Sequence, residues 1–149
     1  MSFQTNLDSM PPEIIGKIMD YILNPQPKEL LNDIKNYHIT KEIGLKLYKK
    51  RIVTNDYKEY FTNDIAAYLN EDNAMIYGCV NNFYNTIRRL YQNKHKEKLD
   101  IIKYYLKYLI NKSVDIELNM MWGILTPNER WKMLEKYYNK NEIKFFYLI

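Results

Sequence analysis

Apolar residues recur at spacings of three and four along the whole chain, no segment alternates convincingly with a period of two, and only Gly16, Gly44, Gly78 and Gly123 interrupt the pattern. Such spacing belongs to amphipathic helices rather than strands. The expected fold is all-α, an irregular bundle of about seven to eight helices. The 149 residues suit one domain, or one domain with a small module attached. A chain of this length can bury about two thirds of its unfolded surface, so a core is feasible without disulfides or metal.

Local signals divide the chain further. Pro11 and Pro12 open a first helix that runs to Leu23 and stops before Asn24-Pro25-Gln26-Pro27. A second is expected from Pro27 to Lys35, and Thr40 is a good N-cap for a third ending near Arg51. These three form an N-terminal trio, giving an expected division into residues 1–52 and 53–149, packed as one compact unit. Thr54 or Thr62 caps a fourth helix. Asp72 caps a long fifth one, whose Ile76, Cys79, Val80, Phe83, Ile87 and Leu90 make one apolar stripe. A sixth, from His95 to Asn111, sets Leu99, Ile102, Leu106, Leu109 and Ile110 on one side. Ser113 to Leu125 reads as buried. Thr126-Pro127-Asn128-Glu129 then combines an N-cap, a proline at N1 and a glutamate at N3, the strongest local signal in the chain. The apolar ending from Ile143 to Ile149 must dock on something.

Chemistry-bearing residues are scarce. His38 and His95 are far apart in sequence, neither has a neighbour at metal-ligand spacing, and Cys79 falls in an apolar stripe where a cysteine serves as a small hydrophobe. No phosphate-binding glycine loop, nucleophile elbow or zinc-protease motif is present. The expectation is a non-enzymatic protein with no cofactor and no metal. One thiol precludes an internal disulfide, no run of 18 apolar residues occurs, and the N-terminus lacks the charged and apolar regions of a secretory signal, so a cytoplasmic or nuclear protein is expected. Ile, Lys, Asn and Tyr supply 68 of the 149 residues. A/T-rich codons encode these residues, which fits a protist or a large DNA virus, and a host-cell location in the viral case.

That bias bears on the one basic strip. Residues 88–112 carry Arg88, Arg89, Lys94, Lys96, Lys98, Lys103, Lys107 and Lys112 against Glu97 and Asp100; eight positive and two negative charges leave +6, more than the +4 of the whole chain. Phosphate neutralisation there, with Tyr91, Tyr104, Tyr105 and Tyr108 stacking on bases, would bind nucleic acid. A solvated helix face with core tyrosines explains the same residues and is preferred.

The first helix is apolar over more than half its circumference through Ile14, Ile15, Ile18, Met19, Tyr21, Ile22 and Leu23. A surface helix needs a stripe of only ~100° or somewhat more. Such a helix is either fully buried or shared with a partner. Met10-Pro11-Pro12-Glu13, the aliphatic pair Ile14-Ile15, then Ile18-Met19 and Tyr21-Ile22-Leu23, with Leu30-Leu31 in the next helix, resemble the F-box, over about residues 7–48. Methionine stands where the F-box usually has leucine, and Asp33 to Tyr37 and Leu45 to Tyr48 match its second half only loosely. The resemblance implies that Met10, Pro11, Glu13, Ile14, Ile15, Ile18, Met19 and Ile22 bind the adaptor subunit of a Skp-cullin-F-box ubiquitin ligase. The body would then recruit a target. Two alternatives stay open: a compact helical host-interaction protein with no ligase link, and the basic nucleic-acid-binding domain.

Overall fold

The computed structural model describes residues 11, 12, 27–90 and 93–147. Seven α-helices occur among them: α1 (Lys28–Arg51), α2 (Tyr57–Leu69), α3 (Asn81–Ile87), α4 (Lys98–Tyr104), α5 (Val114–Gly123), α6 (Pro127–Tyr137) and α7 (Lys140–Tyr147). A 3-10 turn (Met75–Tyr77) precedes α3, and a π-helical turn (Tyr105–Leu109) follows α4. No strand occurs among the described residues, so the all-α bundle expected from the spacing is what forms. None of these helices is long and apolar enough to cross a membrane.

The chain divides into two compact units, Met1–Ile34 and Lys35–Ile149. In the first, the described residues are Pro11, Pro12 and the start of α1, which opens with the Leu31 amide donating to the Pro27 carbonyl at 3.1 Å. The second takes in residues 35–52 as well as 53–149. Thr40, Ile43, Leu47 and Tyr48 on α1 are buried in its core.

At the centre of this body the Tyr48 ring stacks on Phe61 with centroids 4.5 Å apart, Phe61 meets Trp122 edge-on at 5.0 Å, and Tyr48 meets Tyr138 edge-on at 5.2 Å. Ile65 and Leu69 of α2, Leu118 and Met121 of α5, and Met133 and Leu134 of α6 close around the rings. Offset and edge-on ring pairs add ~0.5–1.5 kcal/mol each beyond the apolar burial. The α2–α5 pair is the most extensive helix contact. Gly44 makes the close approach of α1 and α2 possible, because a Cβ there would lie 2.4 Å from the Phe61 ring.

Four expectations need correction. The second and third helices are one, α1: Thr40 is not an N-cap but a buried mid-helix residue, whose hydroxyl donates to the Asn36 carbonyl at 2.6 Å and accepts from the Trp122 indole at 3.3 Å. Burial against Trp122 outweighs the modest helix penalty of Asn36 and Thr40. The long fifth helix is instead a loop followed by the short α3. Gly78 takes φ +105°, Glu71 and Asp72 also have positive φ, and Ile76 is exposed rather than core. The sixth helix begins at Lys98, and its π turn inserts an extra residue that re-phases the buried face. Ile101, Tyr104 and Tyr105, at regular helical spacing, and Leu109, which the π turn brings back to their side, are buried, while Leu99, Leu106 and Ile110 are exposed.

The fourth helix, α2, starts at Tyr57 with Asp56 at its N-cap, so neither Thr54, which lies before it, nor Thr62 caps it; Thr62 is buried in its interior, with its hydroxyl donating to the Lys58 carbonyl at 2.9 Å. The Thr126 box forms in full. The Glu129 amide donates to Thr126 Oγ1 at 3.3 Å, and the Thr126 amide donates to Glu129 Oε2 at 2.7 Å.

Candidate functional site

Of the suspected docking residues, Pro11 is described and exposed. Met10, Glu13, Ile14, Ile15, Ile18, Met19 and Ile22 lie outside the described residues.

The basic strip is placed almost entirely, and most of its cations are locally engaged. Arg89 forks onto Glu129, with Nη1 to Oε2 at 2.5 Å and Nη2 to Oε1 at 2.9 Å, and Nη1 also donates to the Ile124 carbonyl at 2.9 Å. Arg88 Nε donates to the Lys96 carbonyl at 3.3 Å. The Lys96 ammonium lies 4.8 Å from the Tyr104 ring centroid, and Lys98 donates to Asn81 Oδ1 at 2.8 Å while lying 5.1 Å from the Tyr84 centroid. Lys94 is exposed. Tyr104 and Tyr105 are buried, leaving Tyr108 as the exposed ring of the described three. Burial pushes the Tyr105 hydroxyl up to about 12, helped by the negative charge of Glu117.

Neither histidine approaches a ligand set, and among the described residues no group of three or more His, Cys, Asp or Glu side chains is placed to hold a metal. Cys79 is half-buried against the core, and burial raises its thiol pKa, which lowers its reactivity.

A different feature stands out on the body, the loop from Asn70 to Val80. Asn70 is fully buried, and its amide spans the loop. Its Nδ2 donates to the Asn73 carbonyl at 2.6 Å and the Gly78 carbonyl at 3.2 Å, and its Oδ1 accepts from the Val80 amide at 2.8 Å. Asp72 is held from the other side by the Lys136 ammonium at 2.5 Å and the Tyr137 hydroxyl at 3.3 Å. The 3-10 turn at the tip closes with the Tyr77 amide on the Ala74 carbonyl at 2.9 Å and the Gly78 amide on the Met75 carbonyl at 3.0 Å. Ile76 and Tyr77, 85% and 86% exposed, sit on that braced tip. By helical spacing alone Ile76 belongs to the core, but it is exposed. Glycine at 78 and the polar run Asn70-Glu71-Asp72-Asn73 before it were the signals for a loop.

Nothing in the sequence around Arg130 marks it as buried. It is 1% exposed. Its Nε donates to the Trp122 carbonyl at 3.1 Å, its Nη2 to the Gly123 carbonyl at 3.4 Å and its Nη1 to Asn36 Oδ1 at 3.2 Å, so it closes the C-terminal end of α5. It is structural, as is Arg89.

No family model, no curated protein and no solved structure matches this chain.

Proposed function

We propose that the chain is a non-enzymatic protein–protein adaptor: its F-box-like segment docks on the adaptor subunit of a Skp-cullin-F-box ubiquitin ligase, and its helical body recruits a second protein through the Asn70–Val80 loop. The observation that carries an interaction role is the pair Ile76 and Tyr77, held out on a tip that Asn70 braces from inside. Large apolar residues presented on a pre-organised loop are what binding hot spots use, since little ordering cost remains at association. A partner cleft that covered both would gain ~1.5–3 kcal/mol per side chain.

The docking half rests on the residues themselves. Met10-Pro11-Pro12-Glu13 followed by Ile14-Ile15, Ile18-Met19 and Ile22-Leu23 provides aliphatic anchors at helical spacing for a groove. Because α1 is one helix where an F-box has two, the likeness lies in Met10 to Leu31. The second reading, a helical host-interaction protein with no ligase link, draws on the same loop. The engagement of Arg89 with Glu129 and the burial of Tyr104 and Tyr105 favour both over nucleic-acid binding. Such an adaptor works in the cytoplasm or nucleus, of the host cell if the protein is viral.

The test is co-precipitation of the purified full chain with the ligase adaptor subunit, beside an Ile14→Asp/Ile18→Asp variant. Binding by the wild type alone, with both proteins giving the same helical circular dichroism, is the expected result. A folded wild type that does not bind removes the ligase link.

A further inference from the structure

The apolar stripe that helical spacing sets through Leu99, Ile102, Leu106 and Ile110 is not the face by which α4 and its π turn pack on the body. Ile101, Tyr104, Tyr105 and Leu109 take that place in the core. Leu99, Leu106 and Ile110 are left 63%, 49% and 43% exposed, with Ile102 only partly buried between them. Residues three and four positions apart on a helix are neighbours, so these four form one continuous ridge at i, i+3, i+7 and i+11. A contiguous apolar ridge on a surface marks an interaction site.

One flank of the ridge is charged. Asp100, Lys103 and Lys107 follow one another at i, i+3 and i+7, and the Lys103 ammonium lies 3.9 Å from Asp100 Oδ1. Lys107 lies over the Tyr108 ring, 5.4 Å from its centroid, and forms no ion pair among the described residues. The row therefore has its acid at the N-terminal end and an unpaired lysine at the C-terminal end. A second copy laid antiparallel on the ridge sets the same flank against itself with the direction reversed. Ile102 then meets Leu106 of the copy, Leu99 meets Ile110, and Asp100 meets Lys107. The midpoints of these three pairs fall within one residue of each other around Tyr104, ~1.5 Å of helix rise, so a single two-fold axis serves them all.

We propose that this ridge is the interface of a two-fold homodimer, with α4 and its π turn lying antiparallel to those of a second copy. An isologous contact needs a self-complementary surface, residue i on j and j on i. The ridge meets that requirement both in its aliphatic spacing and in the order of its charges. Asp100 comes to lie between its own Lys103 and Lys107 of the second copy. A parallel copy would carry the two charged rows to opposite edges, away from each other. An anionic lipid surface would take the aliphatic side chains but repel Asp100. The contact is one helix wide, so the dimer is a weak one. The ridge shares no residue with the N-terminal segment or the Ile76–Tyr77 tip, so it stands whether or not the adaptor reading does.

The experiment is analytical ultracentrifugation of the full chain from ~10 μM to ~1 mM, the range suited to a weak contact. The wild type should pass reversibly from monomer to dimer. Leu106→Asp should hold the chain as a monomer throughout, and Leu99→Asp should do so from the other end of the ridge. Both side chains stand out from the monomer, so the helical circular dichroism should not change. Asp100→Lys and Lys107→Asp should each weaken the dimer about threefold or more at low salt, and the two together should restore it, because the pair is then reversed rather than broken. A chain that stays monomeric at every concentration overturns the proposal, as does a dimer that Leu106→Asp and Leu99→Asp leave intact. A double charge exchange that associates no better than either single one overturns the antiparallel register. Flotation with vesicles of phosphatidylcholine and phosphatidylserine runs alongside: capture of a monomeric wild type, lost in Leu106→Asp, would give the ridge to a lipid surface instead.

Discussion

The junction of Arg89, Glu129 and Thr126 ties the turn after α3 to the start of α6, and its strength can be worked from the geometry. Glu129 accepts two parallel bonds from the Arg89 fork, at 2.5 and 2.9 Å, together with the Thr126 amide at 2.7 Å and the Thr126 hydroxyl at 2.9 Å. Burial pushes the carboxyl up, but the Arg89 guanidinium and the two Thr126 donors outweigh it and hold the group at about 2, against 4.5 for a free glutamate. That depression corresponds to a ceiling of ~3 kcal/mol. The Glu129 side chain is 22% exposed and Arg89 38%, so solvent screens the pair, and ~1–2 kcal/mol is the expected coupling. The folded pKa lies below the unfolded one, so this stability is fully present above about 4.5 and is lost as the pH falls toward about 2. Urea denaturation of the wild type, Arg89→Met, Glu129→Gln and the double variant measures the coupling directly. The cycle should give ~1–2 kcal/mol at neutral pH, and the difference between wild type and Glu129→Gln should shrink as the pH drops. A coupling below about 0.3 kcal/mol, or a difference that grows on acidification, would refute the reasoning.

Other perturbations have equally definite outcomes. Gly44→Ala places a Cβ 2.4 Å from the Phe61 ring, which is fully buried between Tyr48 and Trp122. Overpacking of ~1–3 kcal/mol should exceed the ~1 kcal/mol gained in helix propensity and lower the denaturation midpoint. Asn70→Ala removes the brace of the loop and should cost ~2–3 kcal/mol, with faster hydrogen exchange at the Val80 amide as its local signature. Gly78→Ala meets no atom within 4 Å, so any loss of stability, expected at ~1 kcal/mol, reports the φ of +105° alone. Ile76→Ser should leave the midpoint unchanged, because the side chain is exposed on the tip; a large loss would mean that it is covered.

Where residues speak for their neighbours, the fold was legible in advance. The capping box Thr126 to Glu129 needs only four consecutive residues and forms as its letters indicate. The overall helical class follows from a spacing that persists for the length of the chain. Breaks and stripes that depend on distant partners were not legible. Thr40 looks like a helix start until Trp122, 82 positions away, is seen to donate to its hydroxyl. Ile76 fits a helical stripe by arithmetic, but the three hydrogen bonds of Asn70 and the backbone of Gly78 turn the stripe into a loop. One π turn after Tyr104 keeps Leu109 on the buried face set by Ile101, Tyr104 and Tyr105, and the stripe through Leu99, Leu106 and Ile110 lies outside that face. Arg89 and Arg130 look like surface charge in sequence, since nothing local marks Glu129 or the α5 carbonyls as their partners. The cleft at the ends of α1 and α6 and the start of α7 is lined from separate parts of the chain, and no motif spans them.

The adaptor reading is tested most directly by the affinity of the full chain for the ligase adaptor subunit, compared among the wild type, Ile14→Asp/Ile18→Asp and Ile76→Asp/Tyr77→Asp. Two separable surfaces predict that the first pair abolishes binding and the second leaves it unchanged, all three proteins being equally folded. A wild type that fails to bind, or binding that survives Ile14→Asp/Ile18→Asp, would contradict the account.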